Sequence, residues 1–283
     1  MNPNQLVFLL GHPLGHTLSP PMQNAAFRKM GLPWTYVPLD ISLGQVEDAV
    51  RLARAFNVRG ANVTVPYKAA VIPYLDFVEP EAKWMKSVNT IYRKGSKLAG
   101  ASTDGEGFLR SLGIRRKKIR GSRGLILGAG GTAKAVAAAL AGEGVRGFCV
   151  ANRTFSRAEE LVRSLRRRHR RLDAACASLK EAEKLLPDCD WVIQTTSVGL
   201  HKGDPSLLPL KGARKGVWVV DLIYHRRTAF LEEAKRRGIF CQNGLGMLLH
   251  QGALSLERWT GRSAPLAVME KALLKKLPGL NSN

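Results

Sequence analysis

The stretch LILGAGGTAKAVAAAL, Leu125 to Leu140, sets the reading of the whole chain. An apolar run ends in a glycine turn, and an alanine-rich helical pattern follows. Gly128, Gly130 and Ala133 fit G-x-G-x-x-A between a strand and a helix. Glycine permits the turn and lets backbone approach a pyrophosphate at the helix N-terminus, where unpaired N–H groups point. The pattern alone is weak, because glycine turns between strand and helix are common; its surroundings give it weight. About 20 residues on, an NAD site usually carries an acidic residue for the ribose. Here the chain has Ala151-Asn152-Arg153-Thr154, with Arg157 after it. A carboxylate would repel a 2'-phosphate, whereas an arginine pairs with it and Thr154 can donate a hydrogen bond. These residues favour NADP over NAD; the plainer alternative is an exposed arginine after a strand.

Outward from this stretch, strands alternate with helices. Downstream, FCVANRT, DWVIQTTS and GVWVVDLIY read as strands, and Ser156 to Arg168, Met247 to Trp259 and Pro265 to Leu277 as helices. Upstream, LVFLL, WTYVPLD and ANVTV read as strands. Ser19 to Met30 and Leu43 to Phe56 read as helices, and a third helix is expected to open at Pro66. SVNTIYR and KLAGAST form a hairpin pattern. Such alternation implies α/β layers with mostly parallel sheets. The first alternation gives way near Thr103-Asp104-Gly105, and a domain boundary is expected there.

The 283 residues suffice for one large or two small domains. No apolar stretch approaches the roughly 18 residues of a membrane span. The run Leu6 to Leu10 is too short for a signal-peptide core and no basic residue precedes it, so a cytoplasmic protein is expected. The four cysteines form no CxxC and the six histidines no HExxH, so no metal is expected. The net charge of +22 gathers in RRKKIR (Arg115 to Arg120) and RSLRRRHRR (Arg163 to Arg171) without interleaved aromatics. A solvated helix face is favoured over a nucleic-acid patch. A field that draws anionic small molecules is the third reading.

The segment GHPLGHTLSPP raises a different question. Ser19 before Pro20 reads as a helix start with Ser19 as N-cap. Thr17 and Ser19 then place hydroxyls beside the positive end of a helix dipole, a carboxylate-sized site. A plain cap explains Ser19 but not Thr17. Lys68, after the strand ANVTV, and Asp104, in a Thr-Asp-Gly turn, read on their own as a surface lysine and a turn aspartate.

GHPLGHTLSPPMQNAAF, GANVTVPYK, SVNT, STDGEG, GAGGTAKA, NRTFSRA, TTSVGL, DLIYHRRTAFL and NGLGMLLHQGA resemble, in this order, the motifs of shikimate dehydrogenases. The resemblance spans nearly the whole chain. It implies NADP-dependent reversible reduction of 3-dehydroshikimate to shikimate in aromatic amino-acid biosynthesis. It also implies an α/β substrate domain over residues 1–104, completed by C-terminal helices over 246–283, and a Rossmann NADP-binding domain over 105–245. By matching motifs, Thr17, Ser19 and Tyr224 would bind the substrate carboxylate. Asn62, Thr64, Asn89, Asp104 and Gln251 would hold the ring hydroxyls, and Lys68, with Asp104, would be catalytic. Gly128, Ala129, Gly130, Gly131, Thr132, Ala133, Asn152, Arg153, Thr154 and Arg157 would bind NADP, with Thr196, Leu222, Gly244 and Met247 near its nicotinamide half. Thr17, Ser102, Gln194 and the Lys86-Ser87 pair depart from the family's usual residues. Oxidation of quinate, or use of NAD, is the alternative. The implied partner is a small molecule, with no specific nucleic acid and no membrane, and the chain a monomer or homodimer.

Overall fold

The computed structural model describes residues 4–277. The chain divides into two compact units. One holds the residues up to Gly107 and those from Leu248 onward; the other is Phe108–Met247. Among the described residues no helix is long and apolar enough to cross a membrane.

In the first unit the chain runs β1 (Gln5–Gly11), α1 (Ser19–Lys29), β2 (Trp34–Asp40), α2 (Val46–Ala55), β3 (Gly60–Val63), β4 (Phe77–Val78), α3 (Pro80–Met85), β5 (Thr90–Lys94), β6 (Lys97–Ala101) and the start of α4 (Asp104–Ser111). The sheet order is β2-β1-β3-β5-β6-β4. Strands β2, β1 and β3 are parallel, as the alternation predicts. The β5–β6 hairpin adds antiparallel to β3, so this sheet is mixed. Central strands read as continuous apolar runs because helices cover both faces. In α2, Val46, Ala49, Val50 and Ala53 recur at helical spacing and are buried. They pack with Phe8, Leu10, Val63, Ile91 and Leu98 in one core.

The helix expected at Pro66 does not form. Residues 66–71 make turns, followed by a single 3₁₀ turn at Ile72–Tyr74 with Pro73 inside it. Tyr67 is drawn into the core, and its hydroxyl donates to the Ile41 carbonyl. Pro73 has no N–H to donate, so the turn closed by Val71 N on the Tyr67 carbonyl is not carried on into a helix.

The second unit contains β7 (Arg123–Leu127), α5 (Gly131–Gly142), β8 (Gly147–Ala151), α6 (Phe155–Arg168), β9 (Asp173–Ala177), α7 (Leu179–Ala182), β10 (Trp191–Gln194), β11 (Trp218–Asp221), α8 (Ala229–Arg236) and β12 (Phe240–Asn243). Its sheet is wholly parallel in the order β12-β11-β10-β7-β8-β9. The chain winds outward from β7 to β9, then returns to the other side of β7 for β10 to β12. This is the doubly wound order of dinucleotide-binding sheets, whose ligand crevice lies at the carboxyl ends of the strands beside that reversal. Two further helices, α9 (Leu245–Thr260) and α10 (Leu266–Lys275), come last among the described residues, and α9 carries the chain from the second unit back into the first.

Candidate active site

In the first unit, topology brings distant polar residues to one end of the sheet. Strand β5 lies antiparallel between β3 and β6, with Asn62 opposite Thr90 and Thr90 opposite Ala101. The carboxyl ends of β3 and β6 and the start of β5 therefore share one edge. Lys68 follows β3, Asn89 precedes β5, and Asp104 opens α4 after β6. Lys68 Nζ lies 2.5 Å from Asp104 Oδ2, with 13% and 5% of the two side chains exposed. Asn89 Nδ2 donates to Asp104 Oδ1 at 2.8 Å and to Thr103 Oγ1 at 2.9 Å, and lies 3.3 Å from Gln251 Oε1. Asn89 Oδ1 accepts from Thr103 N at 2.8 Å. The Asp104 carboxylate also sits in the first turn of α4, where the helix dipole favours negative charge. Gln251 reaches this cluster because Gly107 has no side chain: a Cβ there would lie 2.7 Å from Gln251 N.

Behind the pair lies a buried hydroxyl network. Tyr36 donates to Asn62 Oδ1 at 2.8 Å, and Asn62 Nδ2 donates to Ser255 Oγ at 2.9 Å and to the Asn89 carbonyl at 3.1 Å. Thr90 Oγ1 is 2.8 Å from Ser255 Oγ and 3.3 Å from Thr103 Oγ1. Both ends of the Asn62 amide are thus engaged within the protein, as are both ends of the Asn89 amide. Thr64 lies half-buried at the end of β3, its amide donating to the Leu10 carbonyl at 2.8 Å.

The loop before α1 corrects one expectation. Helix α1 begins at Ser19, so the N-cap position falls on Leu18, and no side chain caps it there. Thr17 Oγ1 instead accepts from Ser19 N at 3.3 Å. Thr17 thus satisfies one of the helix's unpaired N–H groups, while the Ser19 hydroxyl makes no cap bond. Pro20 still suits the first turn, where its missing N–H is no loss. Asp40 fastens the preceding loop, accepting from Leu14 N at 3.0 Å with His12 Nδ1 at 2.6 Å. The His12 hydrogen bond, with the Leu14 N–H, holds the Asp40 carboxyl below its usual range.

In the second unit, the glycine turn lies between β7 and α5. Gly128 has φ +111°, and a Cβ there would lie 2.5 Å from Thr195 Oγ1. Only glycine combines that backbone with that approach. Gly130 is the extended N-cap of α5 and makes no side-chain cap bond, leaving the first N–H groups of the helix without a side-chain cap. Ala129 and Ala133 are buried beneath the turn. After β8, Asn152 Nδ2 donates to the Thr154 carbonyl at 2.8 Å, shaping the turn into α6. Arg153, Thr154 and Arg157 are all exposed there. Neither guanidinium is held by a carboxylate among the described residues. The residues present therefore fit a phosphorylated dinucleotide: backbone N–H groups at a helix start that suit a pyrophosphate, and two exposed arginines after β8 that can pair with a further phosphate. Between Phe108 and Met247 there are 28 Lys and Arg against 12 Asp and Glu, 16 of the chain's excess of 22 positive charges.

Thr196 follows β10, Leu222 and Tyr224 follow β11, and Gly244 and Met247 flank the start of α9. Leu222 N donates to the Gln194 carbonyl at 3.0 Å and Gly244 N to the Ile223 carbonyl at 3.2 Å, so these segments adjoin beyond the strand ends.

Three family models match successive stretches. They are the shikimate dehydrogenase substrate binding domain over residues 9–91, the shikimate/quinate 5-dehydrogenase over 113–202, and the shikimate 5'-dehydrogenase C-terminal domain over 244–274. A shikimate dehydrogenase (NADP(+)) of Moorella thermoacetica is 46% identical over 277 residues, covering 95% of this chain and 92% of that protein. The chain belongs to the shikimate dehydrogenase family. Among solved structures of this family, that of Thermus thermophilus in complex with NADP(H) and shikimate aligns with a TM-score of 0.84 at 36% identity, covering 96% of this chain and 100% of that one. A quinate dehydrogenase from Corynebacterium glutamicum in complex with NAD aligns with a TM-score of 0.87 at 27% identity, covering 96% and 100%.

Within this shikimate dehydrogenase family member, the sequence reading missed Tyr36, Thr90, Thr103, Ser255 and Asp40. Thr90 and Thr103 stand inside quoted motifs, beside Asn89 and Asp104, and that adjacency was the available signal. Tyr36 and Ser255 carry none, because only folding brings them to the cluster, and Asp40 carries none, because only folding sets it against the loop of His12 and Leu14.

Proposed function

We propose that the chain catalyses the NADP-dependent, reversible reduction of 3-dehydroshikimate to shikimate, a step of aromatic amino-acid biosynthesis. The observation that carries this is the buried Lys68–Asp104 pair, braced by Asn89 and Gln251, in a chain whose other unit holds a dinucleotide cradle with two uncommitted arginines. NADPH, when bound, supplies the hydride that a ketone reduction needs. The protein must then orient the ring and supply a proton to oxygen.

Lys68 Nζ takes the proton role, donating to the oxygen on which charge develops. Asp104 Oδ2 holds that ammonium in place, and Asn89 fixes the other carboxylate oxygen. Asn62, Thr64, Asn89, Asp104 and Gln251 orient ring hydroxyls. Thr17 and Ser19, at the positive end of α1, bind the carboxylate with help from Tyr224. Arg153, Thr154 and Arg157 select the 2'-phosphate. The enzyme acts in the cytoplasm as a monomer or homodimer.

The deciding experiment measures oxidation of shikimate and quinate with NADP⁺ and NAD⁺ side by side. Shikimate with NADP⁺ should be the best pair. Equal or faster turnover of quinate with NAD⁺ would assign the chain to the quinate branch instead.

A further inference from the structure

Asp221 is a fully buried carboxylate that the mechanism above does not use. It ends β11, and donors from three directions converge on it. Thr228 Oγ1 donates to Oδ2 at 2.6 Å, Ile223 N to Oδ1 at 3.0 Å, and Gln194 Nε2 lies 3.4 Å from Oδ1. Gln194 ends the neighbouring strand β10 and is itself buried. Its Nε2 also donates to the Val198 carbonyl at 2.9 Å, and its Oε1 accepts from Thr196 N. Thr228 is the N-cap of α8, accepting from Leu231 N at 3.3 Å while its proton goes to Asp221. Each of the three side chains ties a segment beyond a strand end back to the sheet, and Asp221 is their common node. The same two segments meet again at Gly199, where a Cβ would lie 3.0 Å from Thr228 Cγ2 and 3.1 Å from Ile223 Cδ1.

The chemistry of this node is costly. No basic side chain pairs with Asp221 among the described residues, and burial pushes its carboxyl up to about 6. An apolar residue would fill the space without that penalty. What the carboxylate adds is direction: two oxygens accept from both flanking segments at once and hold them in one arrangement. Strand β10 borders β7 at the reversal of the sheet, so these segments lie on one side of the ligand crevice of the unit.

We propose that Asp221, with Gln194 and Thr228, is a positioning network that fixes residues 195–199 and 222–228, and with them Thr196 and Leu222, against the nicotinamide half of the bound dinucleotide. This rests on the cofactor assignment made above. Asp221 itself touches neither substrate nor cofactor; it acts through the backbone that it holds. The adenosine half, bound at the turns after β7 and β8, lies outside its reach.

Asp221→Asn and Thr228→Val test this. Each should lower kcat for shikimate oxidation about 10- to 100-fold, the scale of a misplaced reacting group. Affinity for adenosine 2',5'-bisphosphate, which lacks the nicotinamide half, should stay within about twofold of wild type. Thr228→Ser restores the hydroxyl and should restore kcat. The double variant should lose far less than the product of the single losses, because the two groups share one bond. Thr228→Val keeps the carboxylate and the side-chain shape, so the test stands even where Asp221→Asn does not yield folded protein. Wild-type kcat in Thr228→Val overturns the proposal, as does a loss of bisphosphate affinity parallel to the loss of kcat. Wild-type turnover checks the reaction assignment separately. If the wild type does not oxidise shikimate, that assignment fails. The network is then judged on NADP⁺ affinity, which should fall in the variants while bisphosphate affinity holds.

Discussion

Replacing Lys68 by methionine keeps the side-chain length and removes the ammonium. In the structure that ammonium lies 2.5 Å from Asp104 Oδ2, with both groups largely removed from solvent. At an effective dielectric constant of about 20, unit charges at that separation attract by about 6–7 kcal/mol. Desolvation offsets much of this, and removal of one partner of a buried pair typically costs about 3–5 kcal/mol. Asp104 keeps the Asn89 N–H at 2.8 Å and its place in the first turn of α4. The stranded carboxylate is thus partly stabilised, and the loss of stability should fall near about 3 kcal/mol. Turnover should suffer independently of stability. A positioned proton-transfer group is worth about 10²–10⁴ in rate, or about 3–5 kcal/mol of barrier. The assay follows reduced nicotinamide by absorbance across pH. Urea unfolding and NADP⁺ binding are measured on the same preparations. We expect kcat to fall at least about 100-fold with NADP⁺ affinity unchanged. Lys68→Arg separates the two roles: a guanidinium can pair with Asp104 but does not release its proton. That variant should recover stability and remain slow. A folded Met variant with turnover within about twofold of wild type would show that Lys68 is a bystander.

Arg153→Asp removes one charge-assisted pair and adds a repulsion, about 2–4 kcal/mol together, so NADP⁺ affinity should fall about 30- to 700-fold. NAD⁺ affinity should change far less, and equal losses for both cofactors would refute the assignment. Because Ser19 makes no cap bond, Ser19→Ala should change stability by less than about 0.5 kcal/mol while raising KM for shikimate. The methyl ester of shikimate should not share that rise, and an equal rise for ester and acid would remove Ser19 from the carboxylate site. Burial pushes Asp221 up to about 6 from 3.8, so the native state keeps a proton that the unfolded chain has released. The contribution of this group to stability therefore falls as pH rises from about 4 to about 6, by about 3 kcal/mol, and is level above that window. Denaturant titrations should show this decline in the wild type and its loss in Asp221→Asn; identical slopes in the two would contradict it.

Local order was legible wherever short-range chemistry decides it. The Leu125–Leu140 stretch could be read directly because a left-handed glycine, an N-cap and an alanine helix each depend on a few neighbouring residues. The apolar runs of β1, β3, β7 and β10 declared buried parallel strands for the same reason. Strands β9 (DAACA) and β12 (FCQN) did not declare themselves. Both are edge strands whose small or polar residues carry little strand preference; pairing with β8 and β11 makes them strands. Pro66 to Leu75 went the other way: it forms turns around the buried Tyr67 ring, and Pro73, lacking an N–H, stops them from continuing as a helix.

For the candidate site, residue types were present in the sequence but their partners were not. Read alone, Lys68 and Asp104 resemble a surface lysine and a turn aspartate, and only likeness to a known family singled them out. Their approach to 2.5 Å follows from strand order: β5 runs antiparallel between β3 and β6, so the carboxyl ends of β3 and β6 share one edge, where these two residues, 36 apart in sequence, meet. Tyr36, Asn62, Thr90, Thr103 and Ser255 join for the same reason, each from a different segment of the chain. Hydrogen bonds act over about 3 Å. Groups that far apart in sequence come within that range only once the hydrophobic core has set the register of the strands and helices that carry them.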